Sequence, residues 1–376
     1  MIHLCTCVAS HEEHLAIETD ISARHAGAAR LSFSLVIALL AFLFCASPAS
    51  ASSREKTDIV YMRNGDKITG EIQSLSKGQL NIKPDYASSA FAIDWEKVER
   101  LESSQLFVVT DPNGVSHSGT LTGGPRPHTI TVVESTKTTL PHESVVEIDE
   151  LGSTFLKRMR GNIDLGTSFA RSNGQKSLTL QSGLTYQSKK NIYTLNSNTQ
   201  FTSQQETSDT NETTVKTAYF HQLRASHWYG GDIANFLSSS EQEIALQSTL
   251  GAAVANRVIF TNKTNLNLIG GLGYTIQRDS EGSMSNGPTH SLDSAFAVQY
   301  STFRFDSTTF DTTVWVYPSL TSPGRVRMTL NQDIYYKFLG DFYFRMSFYD
   351  NYDNQPVVGA PSNNLGVSSS IGWSFH

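Results

Sequence analysis

Residues 363–376 read NNLGVSSSIGWSFH. Every second residue gives Leu365, Val367, Ser369, Ile371, Trp373 and Phe375, and those between are Gly366, Ser368, Ser370, Gly372 and Ser374. A period of two marks a strand whose two faces meet different surroundings. One face here is apolar and finishes in two aromatics, and the other is small and hydroxylated. A strand with one face in lipid has this make-up, its aromatics lying at the membrane interface. An edge strand of a soluble sandwich also alternates, so the pattern alone does not decide.

The same pattern recurs upstream. In GNIDLGTSF, Ile163, Leu165, Thr167 and Phe169 alternate with Asn162, Asp164, Gly166 and Ser168. In NLNLIGGLGYTI, Leu266, Leu268, Gly270, Leu272, Tyr274 and Ile276 alternate with Asn267, Ile269, Gly271, Gly273 and Thr275. About twelve such segments fall near 158–171, 175–188, 191–204, 213–225, 227–238, 244–257, 264–277, 290–304, 307–318, 324–337, 340–351 and 363–376. Many run longer than the five or six residues usual in soluble sheets, and a tilted membrane strand needs about nine to eleven. The polar face carries Gly, Ser, Thr, Asn and Gln with scattered charges, as a barrel interior does. Tight connections such as Lys189-Lys190, Ala225-Ser226, Phe305-Asp306 and Leu339-Gly340 alternate with long polar ones such as SQQETSDTNE and RDSEGSMSNGPT. The fold class expected is all-β, with a C-terminal transmembrane antiparallel barrel of about 12 strands over 158–376. An even strand count returns both barrel ends to one side of the membrane.

Residues 58–150 read differently. DIVYMRNGDKITGEIQSL carries apolar alternation around Asn64-Gly65-Asp66, a strong hairpin signal. A weaker copy follows: QLFVVTDPNGVSHSGTL turns at Asp111–Gly114, and LPHESVVEI aligns with IDWEKVERL. Two tandem small β-modules, about 58–103 and 105–150, of SH3-like or Sm-like type are expected. Each is near the lower size limit for an independent core, so they should pack together. Residues 52–57 and 151–157 read as linkers.

The longest apolar run, LVIALLAFLFCA at 35–46, follows Arg24 and Arg30 and precedes Ala49-Ser50-Ala51. That is the pattern of a secretory signal peptide, here 1–51 with an N-terminal extension. Cys5, Cys7 and Cys45 all fall within it, so no thiol remains beyond about Ser52 for disulfide staples. The net charge of −6 argues against a nucleic-acid partner.

The motifs RGNIDLGTSFARSNGQKSLTLQSGLTY, HWYGG…EQEIALQSTLGAA, GGLGYT and IGWSF resemble those of the YdiY-like salt-induced outer membrane proteins over roughly 155–376. The RNGDKITGEI…IDWEKVERL module resembles one found ahead of that barrel. The resemblance implies an outer-membrane barrel of a Gram-negative bacterium, with the modules in the periplasm. It brings no catalytic residue. Barrels of this kind end on a strand with a terminal aromatic that the barrel-assembly machinery reads, which makes Ile371, Trp373 and Phe375 the candidate insertion signal. Phe375 is followed by His376, a departure from that ending.

Candidate lumen residues follow from the alternation: Asn162, Asp164, Gln181, Thr185, Arg224, Asn267, Asp333 and Arg345. Such opposed charges either pair across a closed interior or line a small pore. Catalysis is not expected, because no G-x-S-x-G elbow occurs and His221, His227 and His290 read as turn or interface residues. No cofactor or metal is expected, since His221 and His227 are six apart with no cysteine nearby and no H-x-x-x-H or H-E-x-x-H motif occurs. Two functions stay open: a narrow pore for small polar solutes or an envelope-stabilising barrel, and a membrane tether whose 58–150 modules bind a periplasmic protein. Lipid and lipopolysaccharide are the remaining expected partners.

Overall fold

The computed structural model describes residues 57–375 apart from 88, 125, 127, 135, 152–158, 171–174, 189, 204–207, 225–226, 281–286, 304–307 and 357–360. The expected 1–51 leader and most of both expected linkers lie outside the described residues.

β1 (Asp58–Met62) and β2 (Lys67–Ser76) form the hairpin that Asn64-Gly65 encodes. Gly65 turns at φ +92°, and Asn64 Oδ1 accepts the Asp66 amide. β3 (Gln79–Lys83), β4 (Phe91–Asp94), a 3-10 turn (Trp95–Lys97) and β5 (Val98–Thr110) follow. β6 (Ser116–Gly123), β7 (Thr129–Val133), β8 (Lys137–Pro141), a second 3-10 turn (His142–Ser144) and β9 (Glu147–Glu150) repeat the order. The sequence repeat is thus a structural repeat, but its copies are fused rather than placed side by side. β5 runs through the 103–105 boundary as one strand, closing the first copy and opening the second. Its first half pairs β1 and its second half pairs β9. β9 also pairs β2, while Ser103 of β5 pairs Leu121 of β6. Each copy therefore lends its closing strand to the other. The result is a single core, running from Val60 and Ile72 through Phe107 to Ile130 and Ile148.

Trp95 and His142 occupy equivalent positions in the two copies and meet at the centre. Their rings stack at 4.1 Å with 9° between planes, and Trp95 Nε1 donates to the His142 carbonyl over 3.1 Å. His142 is 3% exposed. Burial, helped by Arg63 and His128, lowers its pKa to about 4. Unfolded histidine protonates below about 6.5. Between these values only the unfolded state gains the proton, so stability present above pH 6.5 falls away as pH drops towards 4. The loss reaches about 3 kcal/mol. Urea titrations at pH 7 and pH 4.5 should show this deficit, and His142→Phe should shrink it.

Twelve strands then close into one antiparallel barrel. They are β10 (Met159–Ala170), β11 (Gln175–Gln187), β12 (Asn191–Ser203), β13 (Thr210–Gln222), β14 (Trp228–Ser239) and β15 (Ile244–Phe260), then β16 (Thr264–Asp279), β17 (Thr289–Thr302), β18 (Thr308–Pro318), β19 (Val326–Leu339), β20 (Phe342–Asp353) and β21 (Asn363–Phe375). β21 pairs β10 from Gly161–Phe375 to Leu165–Ile371, which removes the free edges. Among the described residues no helix is long and apolar enough to cross a membrane. The strands do so instead.

The opening stretch faces as its alternation requires. Leu365, Val367 and Ile371 are each near 58% exposed, whereas Asn364, Ser370 and Gly372 are buried. Leu250, Leu272 and Phe296 continue the apolar exterior around the barrel. Trp373 pairs across strands with Phe342 on the outer face. Tyr193 stacks on Tyr219 at 4.6 Å at the same barrel end, so aromatics ring that rim. Connections at this end span 188–190, 223–227, 261–263, 303–307 and 340–341, against 280–288, 319–325 and 354–362 at the other.

Candidate functional site

The interior is organised in levels. At the long-loop end, side chains meet across the lumen. Tyr349 of β20 donates to Gln200 of β12 over 3.3 Å. Asn351 and Asn364 donate to the two oxygens of Glu212 on β13 over 3.3 and 2.9 Å. β13 lies five strands from β20 around the wall, so these bonds cross the bore. Tyr349 lies over Gly366, where a Cβ would collide with its ring. The small residues of β21 thus make room for the crossing.

Lower down, Arg345 organises an ion-pair cluster. Its guanidinium holds Asp333 through Nε at 3.0 Å and a second nitrogen at 2.9 Å, and reaches Asp164 at 3.4 Å. Asp164 is fully buried and also accepts from Asn162 over 2.6 Å. Arg345 lies over the Tyr335 ring at 5.1 Å. Arg327 of β19 binds Asp293 of β17 in a second cluster, with Thr275 and Ser291 donating to the same carboxylate over 2.9 and 3.0 Å. Buried charges persist only when paired and hydrogen-bonded, and Asp164 and Asp293 are both through Oδ2, while their Oδ1 atoms are buried without a hydrogen-bond partner among the described residues.

At the short-turn end a cavity of about 710 Å³ opens between barrel and N-terminal module. One wall is apolar: Tyr229, Ala255 and Ile269 cluster with Phe220, Ile233 and Trp315. The rest is polar, including Asn196, Asn265, Asn267, Gln299 and Asp311. The module closes this mouth. Arg160 pairs with Asp149 at 3.1 Å, Gln187 donates to Glu147 at 2.8 Å, and Gln222 donates to the Gly114 carbonyl at 2.9 Å. Lys337 donates to Gln79 at 3.3 Å. The 261–263 turn is the main latch. Asn262 donates to the Val145 carbonyl over 2.6 Å, Lys263 pairs with Glu96, and Gly78 packs on the Asn262 backbone. Gly78 has φ +73°, and a Cβ there would sit 2.6 Å from the Asn262 carbonyl oxygen. Burial pushes the Glu147 carboxyl up, against the pull of Arg257.

Of the expected lumen residues, Asn162, Asp164, Asp333 and Arg345 belong to the central cluster. Thr185 and Asn267 line the cavity. Gln181 pairs across strands with Asp164, and its Oε1 is buried without a hydrogen-bond partner among the described residues. Arg224 is a correction. β13 ends at Gln222, and Arg224 sits exposed in the following turn at φ +59°, because the strand starts and stops three residues earlier than its alternation suggested. Of the residues expected to form an insertion signal, Ile371 and Trp373 face outward, whereas the Phe375 side chain lies outside the described residues. His221 is exposed beside Asn191 Oδ1 at 2.7 Å, and His290 stacks on Tyr274. The inward apolar wall was not anticipated. Its signal is apolar residues on both faces of one strand, as in Trp228, Tyr229 and Ile233.

A closed cylinder with an apolar exterior, an aromatic rim and an ion-paired polar interior is a transmembrane β-barrel of the outer-membrane type. The model of DUF481 ("Protein of unknown function, DUF481") matches residues 163–375, more than half of the chain. The chain belongs to that family, the YdiY-like outer membrane proteins. No curated protein matches it. Similar solved structures include the translocator domain of autotransporter NalP from Neisseria meningitidis, at 14% identity over 58% of this chain and 86% of that one, with TM-score 0.34. The NanC porin is 12% identical over 57% and 99%, with TM-score 0.38. An outer membrane channel from Pseudomonas putida F1 is 11% identical over 58% and 94%, with TM-score 0.33.

Proposed function

We propose that the protein is a narrow channel for small polar solutes, capped on its periplasmic side by the N-terminal module. The observation that carries this reading is the polar capacity left unused inside the barrel. Gln181 Oε1, Asn198 Oδ1, Asn235 Oδ1, Asp311 Oδ1 and Thr329 Oγ1 are buried, lie on inward-facing positions, and have no hydrogen-bond partner among the described residues. Leaving such atoms dry costs about 1–3 kcal/mol each. A lumen built this way holds water. The Glu212 crossing narrows it, and the cap covers its inner mouth.

Single-channel recording of the full chain in planar bilayers tests this. The wild type should conduct weakly. Glu212→Ala, which removes both asparagine crossings, should raise conductance severalfold. Gly78→Val should unseat the cap, through its Cβ clash and the left-handed φ, and raise the open fraction. Silence in all three would contradict the proposal.

The tether reading has less support here. The module rests on the barrel rim through six side-chain contacts rather than hanging free, and a cap needs that arrangement. Specific capture of a periplasmic protein on 58–150 by an otherwise silent barrel would favour the tether.

A further inference from the structure

We propose that the cavity beneath the cap is a binding site for neutral, hydroxyl-rich ring compounds, the chemistry of a short oligosaccharide. The proposal rests on the channel reading only for the route by which such a molecule arrives. A volume of about 710 Å³ lies within the usual range for small-molecule sites.

The wall formed by β16, β17 and β18 carries its side chains in rows. Ile269, Ala297 and Trp315 face each other across the three strands, and Asn267, Gln299 and Thr313 form the next row towards the cap. Two residues along a strand separate the rows, roughly 7 Å. Trp315 and Tyr317 point the same way with rings 5.7 Å apart and only 5° between their planes. The rings are stacked face to face rather than coplanar, and of the two it is Trp315 that lines the cavity and supplies its aromatic face.

Unused polar atoms surround this surface. Asp311 Oδ1 and Asn265 Oδ1, on the cavity wall nearer the cap, are buried without a hydrogen-bond partner among the described residues. An aromatic plate edged by amides and a carboxylate suits a molecule with one C–H face and a rim of hydroxyls. The plate takes the face, and the polar atoms take the rim.

The charges on the lining are mixed, with Lys77, Arg160, Arg257, Lys263 and Lys337 against Asp94, Glu96, Glu147 and Asp311, so neither sign of ion is favoured. Arg160 and Lys263 at the cavity mouth are each held by a module carboxylate, Asp149 and Glu96. Ala255 and Ala297 stand in the same row as Ile269 and Trp315 and carry only a methyl each, which leaves room beside the indole for a ring.

The test is calorimetric titration of the full chain, folded in a detergent without sugar headgroups, with maltotriose, cellotriose and raffinose as probes. Saturable binding of at least one is expected. Trp315→Leu should weaken it about tenfold. Asp311→Asn, which keeps the shape, should weaken it measurably, and Trp373→Leu on the outer face should leave it unchanged. Heat-modifiable migration on gels confirms that each variant has folded. Absence of saturable binding to all three probes, or binding indifferent to both cavity variants, overturns the assignment. Conductance without saccharide binding overturns it while leaving the channel standing. Saccharide binding by a barrel that never conducts supports the site and removes the channel.

Discussion

Replacing Arg345 by methionine is expected to lower barrel stability by about 3–5 kcal/mol. The guanidinium is 13% exposed and is the cation shared by Asp333 and Asp164, the latter fully buried. Without it two carboxylates remain in the wall, held by neutral donors such as Asn162 and Ser347. Asp311 stands directly opposite Asp333 across strands and adds a third negative charge. Removing one partner of a buried pair costs more than the pair contributed, because the survivor is left uncompensated. Arg345→Met with Asp164→Asn and Asp333→Asn should therefore recover most of the loss. Urea unfolding of barrels reconstituted in lipid reads both. A single variant as stable as the wild type would mean that the cluster is solvated as bulk charge is.

The second large effect is expected on the outer face. Leu272 lies mid-strand on β16 and is 53% exposed. Leu272→Arg should cost about 2–4 kcal/mol, the penalty for a cation on the lipid face near the bilayer midplane. Asn267→Arg, five positions away, points into the cavity and should cost far less. Inward facing alone does not ensure tolerance. Thr179 also faces inward but is only 5% exposed, so Thr179→Arg should be damaging through lack of space. The ranking Leu272, Thr179, Asn267 separates lipid exposure from interior packing. Equal damage at Leu272 and Asn267 would mean that the strand faces are assigned wrongly.

The barrel was largely legible from the chain. Gly, Ser and Asn on one face against Leu and aromatics on the other fix strand facing, because slipping the register by one residue would put Asp164 in lipid. The tight connections fix which end carries the turns. The hairpin at Asn64-Gly65 was legible for the same local reason. What could not be read were contacts between distant segments. Nothing in the sequence of Asn262 reveals that its amide reaches Val145, or that Gly78 is small because that turn packs against it. The fusion of the two small copies through β5 was equally hidden, since a strand boundary and a strand middle look alike in an alternating stretch. The cavity's apolar wall was missed because apolar residues in a barrel strand are read as facing lipid by default. In β14 both Trp228 and Tyr229 are aromatic, and only closure of the barrel shows which one turns inward.

The most direct test of a cylinder that is oily outside and hydrated inside is a fluorophore scan along β16. The three cysteines all lie within 1–51, so in a chain begun at residue 52 single thiols can be introduced at 265, 266, 267, 268, 272 and 274 without interference. With an environment-sensitive dye at each position and nitroxide-bearing lipids in the vesicles, quenching should alternate. It should be strong at 266, 268, 272 and 274 and weak at 265 and 267. Uniform quenching, or none at any position, would contradict the account.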